Sequence, residues 1–273
     1  MRKRMICVAV ISLGIMLSAL VISLAVYFSM DYEGIVISNR EAVTEAIRTG
    51  LKNRSEILTV HFTARTQDLE EAQSQTERLF LDALYESDDP AGGDYIRCQL
   101  GGYDIHSDAK RRFLIWRYTM ELRPVYYSTR EEEDFVDAEI QSVLSDAPMS
   151  GTKEEQIRWV HDLVTETLSY DHVHKNHMQS HGKTTAYAAL KYHQAVCQGY
   201  AVLTYRLLKE LGIDCRIVMG DAIVEGVRER HAWIMVETEE GKRYMDPTLD
   251  DVYNCDTWYM KTEEEFATDH MET

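Results

Sequence analysis

Apolar residues recur at helical spacing from Cys197 onward: Val202, Leu203, Leu207, Leu208 and Leu211 share one face, and Gly212 stands where a helix stops. A second stripe, Ile157, Val160, Leu163, Val164 and Leu168, follows Thr152, which makes a capping box with Glu155. Further helices are predicted over 40–54, 67–85, 131–144 and 184–192, that over 131–144 acidic and amphipathic. Strands are predicted over 57–62, 95–100, 113–122, 215–219, 231–237 and 242–246, the last stopped by Pro247. Residues 101–110 read as turn-rich, 220–230 as a polar loop, and Asp88-Asp89-Pro90-Ala91-Gly92-Gly93 as a break. This mixture predicts an α+β chain, with a small α/β module over 31–128 and a second domain over 129–273.

Ahead of these elements, Met5 to Phe28 is uncharged and apolar, follows Arg2-Lys3-Arg4, and exceeds the roughly 20 residues that cross a bilayer. Residues 1–30 are therefore expected to be a cytoplasmic basic tip and a transmembrane signal anchor, with the rest exported to the cell surface. The rival is a signal peptide cleaved near Ser23-Leu24-Ala25, although its apolar region would exceed the usual length of about 7–15 residues. The formal charge is −17, and −20 without the three basic residues at the start. A surface this acidic repels nucleic acid and anionic headgroups, so no nucleic-acid partner is expected and the membrane is met only through the helix.

Beyond the apolar run stand Cys98, Cys197, Cys215 and Cys255, too few for a disulfide scaffold in a chain of 273 residues. Position singles out Cys197. In the first turn of a helix, unpaired N–H groups and the positive end of the dipole favour thiolate over thiol. A buried core cysteine is the plain alternative. A thiol nucleophile also needs a base and a third group that holds the base in one tautomer. His231 opens one predicted strand and Asp246 closes the next, which in that chain order is the arrangement of papain-like thiol enzymes. Register is the open question. A two-residue loop at Glu240-Gly241 would set Asp246 opposite Met235, roughly 13 Å along the strand from His231. Direct opposition needs a turn at Thr238-Glu239, a bulge, or side chains leaning together from a twisted sheet end. His172, His174, His177 and His181 crowd one loop but lack a metal-site spacing, so a solvated loop is expected there, and His161 is read as a helix residue facing its neighbours.

The segments SYD (169–171), AVCQGYA (195–201) and RHAWIMVETEEGKRYMDPT (230–248) resemble the core signature of the transglutaminase-like superfamily, specifically its bacterial exported members. WYMKTEEEFATDH (258–270) is similar to their closing segment, whereas 35–128 resembles their N-terminal α/β extension only loosely. The resemblance implies a papain-like core, a nucleophile helix packed on an antiparallel sheet, with Cys197 as nucleophile, His231 as base and Asp246 as the orienting carboxylate. It implies thiolate attack on a carboxamide, giving a thioester that water or an amine resolves, and amide bonds of protein or cell-wall peptide are the expected substrates. The oxyanion donors it implies are the Cys197 N–H and one group from Tyr192, His193 or Gln194. Ala195-Val196 stands where a glycine is common, and nothing resembles the calcium sites of the animal enzymes, so no metal or cofactor is expected. A non-catalytic surface binding module that kept this fold is the alternative.

Overall fold

The computed structural model describes residues 39–85, 87–173 and 183–272. The expected anchor over Met5 to Phe28, and His174, His177 and His181, lie outside these residues. Among the described residues no helix is long and apolar enough to cross a membrane. In chain order the elements are α1 (Arg40–Lys52), β1 (Leu58–Ala64), α2 (Leu69–Ala83), α3 (Gly93–Cys98), β2 (Leu100–Arg112), β3 (Ile115–Tyr126), α4 (Arg130–Leu144) and α5 (Lys153–Thr167). They continue as β4 (Ser169–Tyr170), α6 (Ala186–Tyr192), β5 (Gln194–Ala195), α7 (Cys197–Glu210), β6 (Cys215–Val224), β7 (Val227–Thr238), β8 (Gly241–Met245), α8 (Pro247–Tyr253), α9 (Glu263–Phe266) and β9 (His270–Glu272).

The described residues divide into two compact units, the first made of 39–50 with Ser55–Ala83 and Tyr103–Pro124. Its sheet has the order β1-β3-β2, with β1 antiparallel to β3 from Leu58↔Leu122 to Ala64↔Trp116. Leu58, Val60, Phe62 and Ala64 alternate inward, and α2 buries Ala72, Leu79, Phe80 and Ala83. Two expectations fail near this unit. Residues 101–110 are not turns but most of β2, an edge strand whose side chains are mainly exposed. Backbone pairing with β3 holds it, so no apolar alternation marks it in the sequence. Residues 95–100 are not a strand. Most of them fall in α3, six residues and too short to print a helical period, held in the second unit by Asp94, whose buried carboxylate accepts from Ile217 N at 2.9 Å and from the Arg216 guanidinium.

The second unit comprises Leu51–Arg54 and the described residues of 84–102 and from Val125 onward. Its main sheet has the order β8-β7-β6-β9 with antiparallel neighbours. Here the expected loop over 220–230 is the far half of a hairpin. β6 runs on to Val224 and β7 begins at Val227, with Glu225 and Gly226 at φ 52° and 80° between them. Two left-handed residues in a two-residue turn match the twist of the strands they join. The segment reads as polar because Ile223, Val227 and their neighbours project beyond the core.

Helix α7 is buried along its length, with Val202, Leu203, Tyr205, Leu207 and Leu208 packed among Val160, Val164, Ile217, Ile234 and Val236. Five such side chains contribute on the order of 10 kcal/mol of hydrophobic burial before entropy. That outweighs a missing N-cap, which costs about 1 kcal/mol, and Val196 indeed offers α7 no side-chain cap. Where packing is weaker the caps are complete: Thr129 with Glu132 opens α4, and Thr152 with Glu155 opens α5.

Candidate active site

The start of α7 is set by the short parallel pair β4–β5, in which Ser169 faces Gln194 and Tyr170 faces Ala195. Val196 N donates to Lys183 O at 3.0 Å, and Cys197 follows as the first helical residue, half-buried. Val196 supplies no side-chain cap to the first turn, in which Gly199 N is given to Val196 O at 2.8 Å. Gly199 makes the close approach possible. A Cβ there would fall 2.6 Å from the Ala195 Cβ and 2.8 Å from Lys183 O. Of the upstream donors, His193 N is already given to Ala189 O at 3.0 Å, and the Gln194 side-chain oxygen accepts from Lys183 Nζ at 2.9 Å.

Neither simple hairpin register is adopted. The loop is Glu239-Glu240, between the paired Thr238 and Gly241, with Gly241 at φ 106°. Ile234 pairs with Met245, the last residue of β8, and Asp246 leaves the sheet as the N-cap of α8 with φ −123° and ψ 87°. That exit from the strand end brings Asp246 Oδ2 to 2.7 Å from His231 Nε2. The contact belongs to the third arrangement expected from the sequence, side chains leaning together at the end of the sheet. Asp246 Oδ1 accepts from Thr248 N and Leu249 N at 3.0 and 3.2 Å, so the carboxylate is held from both sides.

Because a carboxylate only accepts, His231 Nε2 donates to it, and Nδ1 is left for the hydrogen bond that His231 makes with Cys197. Both residues of the His–Asp pair are buried, at 7% and 0% exposure. Burial alone would push the His231 pKa down; the charge of Asp246, then that of Cys197, outweigh it and hold the imidazolium well above its ordinary range. For Asp246 burial acts upward, and the charge and hydrogen bond of His231, followed by those of His270, carry it well below the usual carboxylate range. Cys197, His231 and Asp246, singled out in the sequence, are thus brought together on three elements of one unit.

The residue not singled out is His270 on β9. Its Nε2 lies 3.2 Å from the same Asp246 Oδ2. Its only trace in the sequence is the Asp-His that ends the closing segment. The donor atoms of His231, Asp246 and His270 lie within 4.8 Å of one another, close enough to reach one cation. We read them as a hydrogen-bonded set instead, because four N–H groups converge on the four acceptor positions of the Asp246 carboxylate. His161 is a structural residue, its Nε2 3.0 Å from Asp250 Oδ2. Beside His231 opens a cavity of about 160 Å³ lined by Tyr170, His172, Glu225, Glu229, Val252 and Tyr253 among others. A larger hollow of about 430 Å³, lined by Lys52, Arg54, Arg130 and Arg206, touches none of the three. The four described cysteines are free thiols, and Cys98 and Cys215 are buried.

Residues 144–247 match the sequence model of the family described as the transglutaminase-like superfamily. Among solved structures, the chain is matched to a candidate cysteine protease from Cytophaga hutchinsonii, at 12% identity over 55% of this chain and 65% of that one, with a TM-score of 0.35. It is also matched to a protein described as a TGase, at 15% identity over 81% of this chain and 60% of that one, with a TM-score of 0.37. The chain thus spans less than two thirds of either protein, and at these scores the likeness adds nothing to the family match. No curated protein matches the chain. The segment 144–247, which carries Cys197, His231 and Asp246, is therefore a domain of the transglutaminase-like superfamily.

Proposed function

We propose that this protein is a thiol-dependent enzyme that acts on amide bonds of protein or cell-wall peptide at the outer face of a cell membrane. The observation that carries the reading is the buried pair of His231 and Asp246 with Cys197 in hydrogen-bond reach at the start of α7. In this reading the Cys197 thiolate attacks the amide carbon, and the oxyanion is met by first-turn N–H groups of α7. His231 passes its proton to the leaving amine, and the C–N bond breaks to leave a thioester on Cys197. Water or a second amine, deprotonated by His231, then releases the acyl group. Asp246 keeps His231 in one tautomer and stabilises its charge throughout.

The test is Cys197→Ala in the full chain, assayed on glutamine-containing peptides for ammonia release, amine incorporation and new peptide termini. Loss of all three signals supports the reading; unchanged turnover overturns it and leaves a binding module. Export forms part of the proposal and rests on the apolar run from Met5 to Phe28 after three basic residues. Protease added to intact cells should then cleave the domain but not a tag placed before Arg2.

A further inference from the structure

The line of hydrogen bonds that begins at Cys197 does not end at Asp246. His270 Nε2 lies 3.2 Å from Asp246 Oδ2, His270 Nδ1 lies 2.6 Å from Asp269 Oδ1, and Asp269 Oδ2 accepts from Trp258 Nε1 at 2.9 Å. The ring is fully buried, stacked on Phe266 at 3.9 Å between centroids and edge-on to Trp233 at 4.9 Å. Both ring nitrogens face carboxylate oxygens, which only accept, so each is a donor position. The hydrogen bond and charge of His270 are among the causes that hold Asp246 ionised. The charged and titratable groups facing His270 are Asp269 beside it, Asp246 beyond the end of β8, and His231 on β7, whose ring centroid is 5.9 Å away. Phe266 and Trp233 pack against the ring itself. Strand β9, only three residues long, seats the histidine by pairing Ala222 with His270 on β6. Gly220 lets it come close, since a Cβ there would fall 2.2 Å from Met271 O.

We propose that His270 is a positioning residue of the thiol site: clamped between Asp269 and Asp246, it fixes the Asp246 carboxylate on His231 and sets a positive charge behind it. The inference rests on the thiol-enzyme reading above. Its chemical sense is balance. Asp246 alone holds the proton on His231 more firmly, and a second cation on the same oxygen moderates that pull.

Two variants of the full chain test it, His270→Gln and His270→Phe. Glutamine sets an amide N–H where ring Nε2 was, keeping the donor and losing the charge; phenylalanine keeps the aromatic packing and loses both. The readouts are amide turnover and the rate of Cys197 alkylation by iodoacetamide, each followed against pH. With the cation removed from 5.9 Å away, the alkaline limb, where His231 gives up its proton, should move up by about one pH unit in His270→Gln. Turnover by His270→Phe should fall at least about tenfold below that of His270→Gln, the two side-chain donors to Asp246 Oδ2 being reduced to one. Curves that superimpose on the wild-type limb, or equal turnover by the two variants, overturn the inference. If Cys197→Ala abolishes turnover while this occurs, only the role of His270 fails; if Cys197→Ala retains turnover, the enzyme reading itself fails.

Discussion

Replacing Asp246 with asparagine tests the core of the site, because the side chain keeps its size and loses its charge. The two backbone donors, Thr248 N and Leu249 N, are fixed by the first turn of α8, so the single Asn oxygen stays with them. The amide NH2 then faces His231 Nε2 and His270 Nε2, which in the wild type both point N–H groups at that position. His231 must present a lone pair there and carry its proton on Nδ1, the nitrogen turned to Cys197. A base in the wrong tautomer costs about 10³- to 10⁴-fold in turnover, or roughly 4–5.5 kcal/mol. Stability falls as well, since each lost charge-assisted bond is worth about 1.5–3 kcal/mol. The pH dependence has a definite sign. Asp246, held low, contributes stability above the ordinary carboxylate pKa of about 3.9 and loses it as the pH falls. His231, held high, contributes fully below about 6.5 and loses that contribution as the pH rises through its folded value. The gap between wild type and Asp246→Asn should therefore be widest from about pH 4 to 6.5. Guanidinium unfolding at pH 3, 5.5 and well into the alkaline range measures it, alongside amide turnover. A gap that is flat across pH, or turnover within tenfold of wild type, refutes the reasoning.

Other expectations follow from single contacts. Gly199→Ala should cost about 1–3 kcal/mol in denaturant unfolding and lower the rate of Cys197 alkylation, because the new Cβ can be seated only by moving β5 or the backbone at Lys183. Glu133→Ala should lower the melting temperature by about 10 °C, since Arg54, only 4% exposed in its side chain and paired with Glu133 at 2.8 Å, would be left as a buried charge worth about 3–5 kcal/mol. Peptide mapping after brief alkylation of the native protein at pH 8 should find label on Cys197 and none on Cys98, whose thiol is pushed up to about 12 by burial.

Much of this protein was legible before its tertiary structure. The capping box at Thr152, the apolar stripe of α7 and the apolar stretch of β7 from Ala232 to Val236 are local patterns, each written within about 15 residues, and local interactions set them. Cys197 and Asp246 also stand at boundaries visible in the chain, the first turn of α7 and the N-cap of α8, whereas His231 lies inside β7, which begins four residues earlier than the sequence pattern shows. What the tertiary structure decided is everything held by distant partners. Helix α3 exists as a helix through Asp94 and its bonds to Arg216 and Ile217, more than 120 positions away. β2 is a strand only because β3 lies beside it, and the tip of the β6–β7 hairpin is polar because no core meets it. The link from His231 to Asp246 depended on where β8 ends and α8 begins rather than on strand register. His270 was invisible as a partner of Asp246, since 24 residues separate them and nothing in the periodicity of either segment records that a short strand folds back to join them.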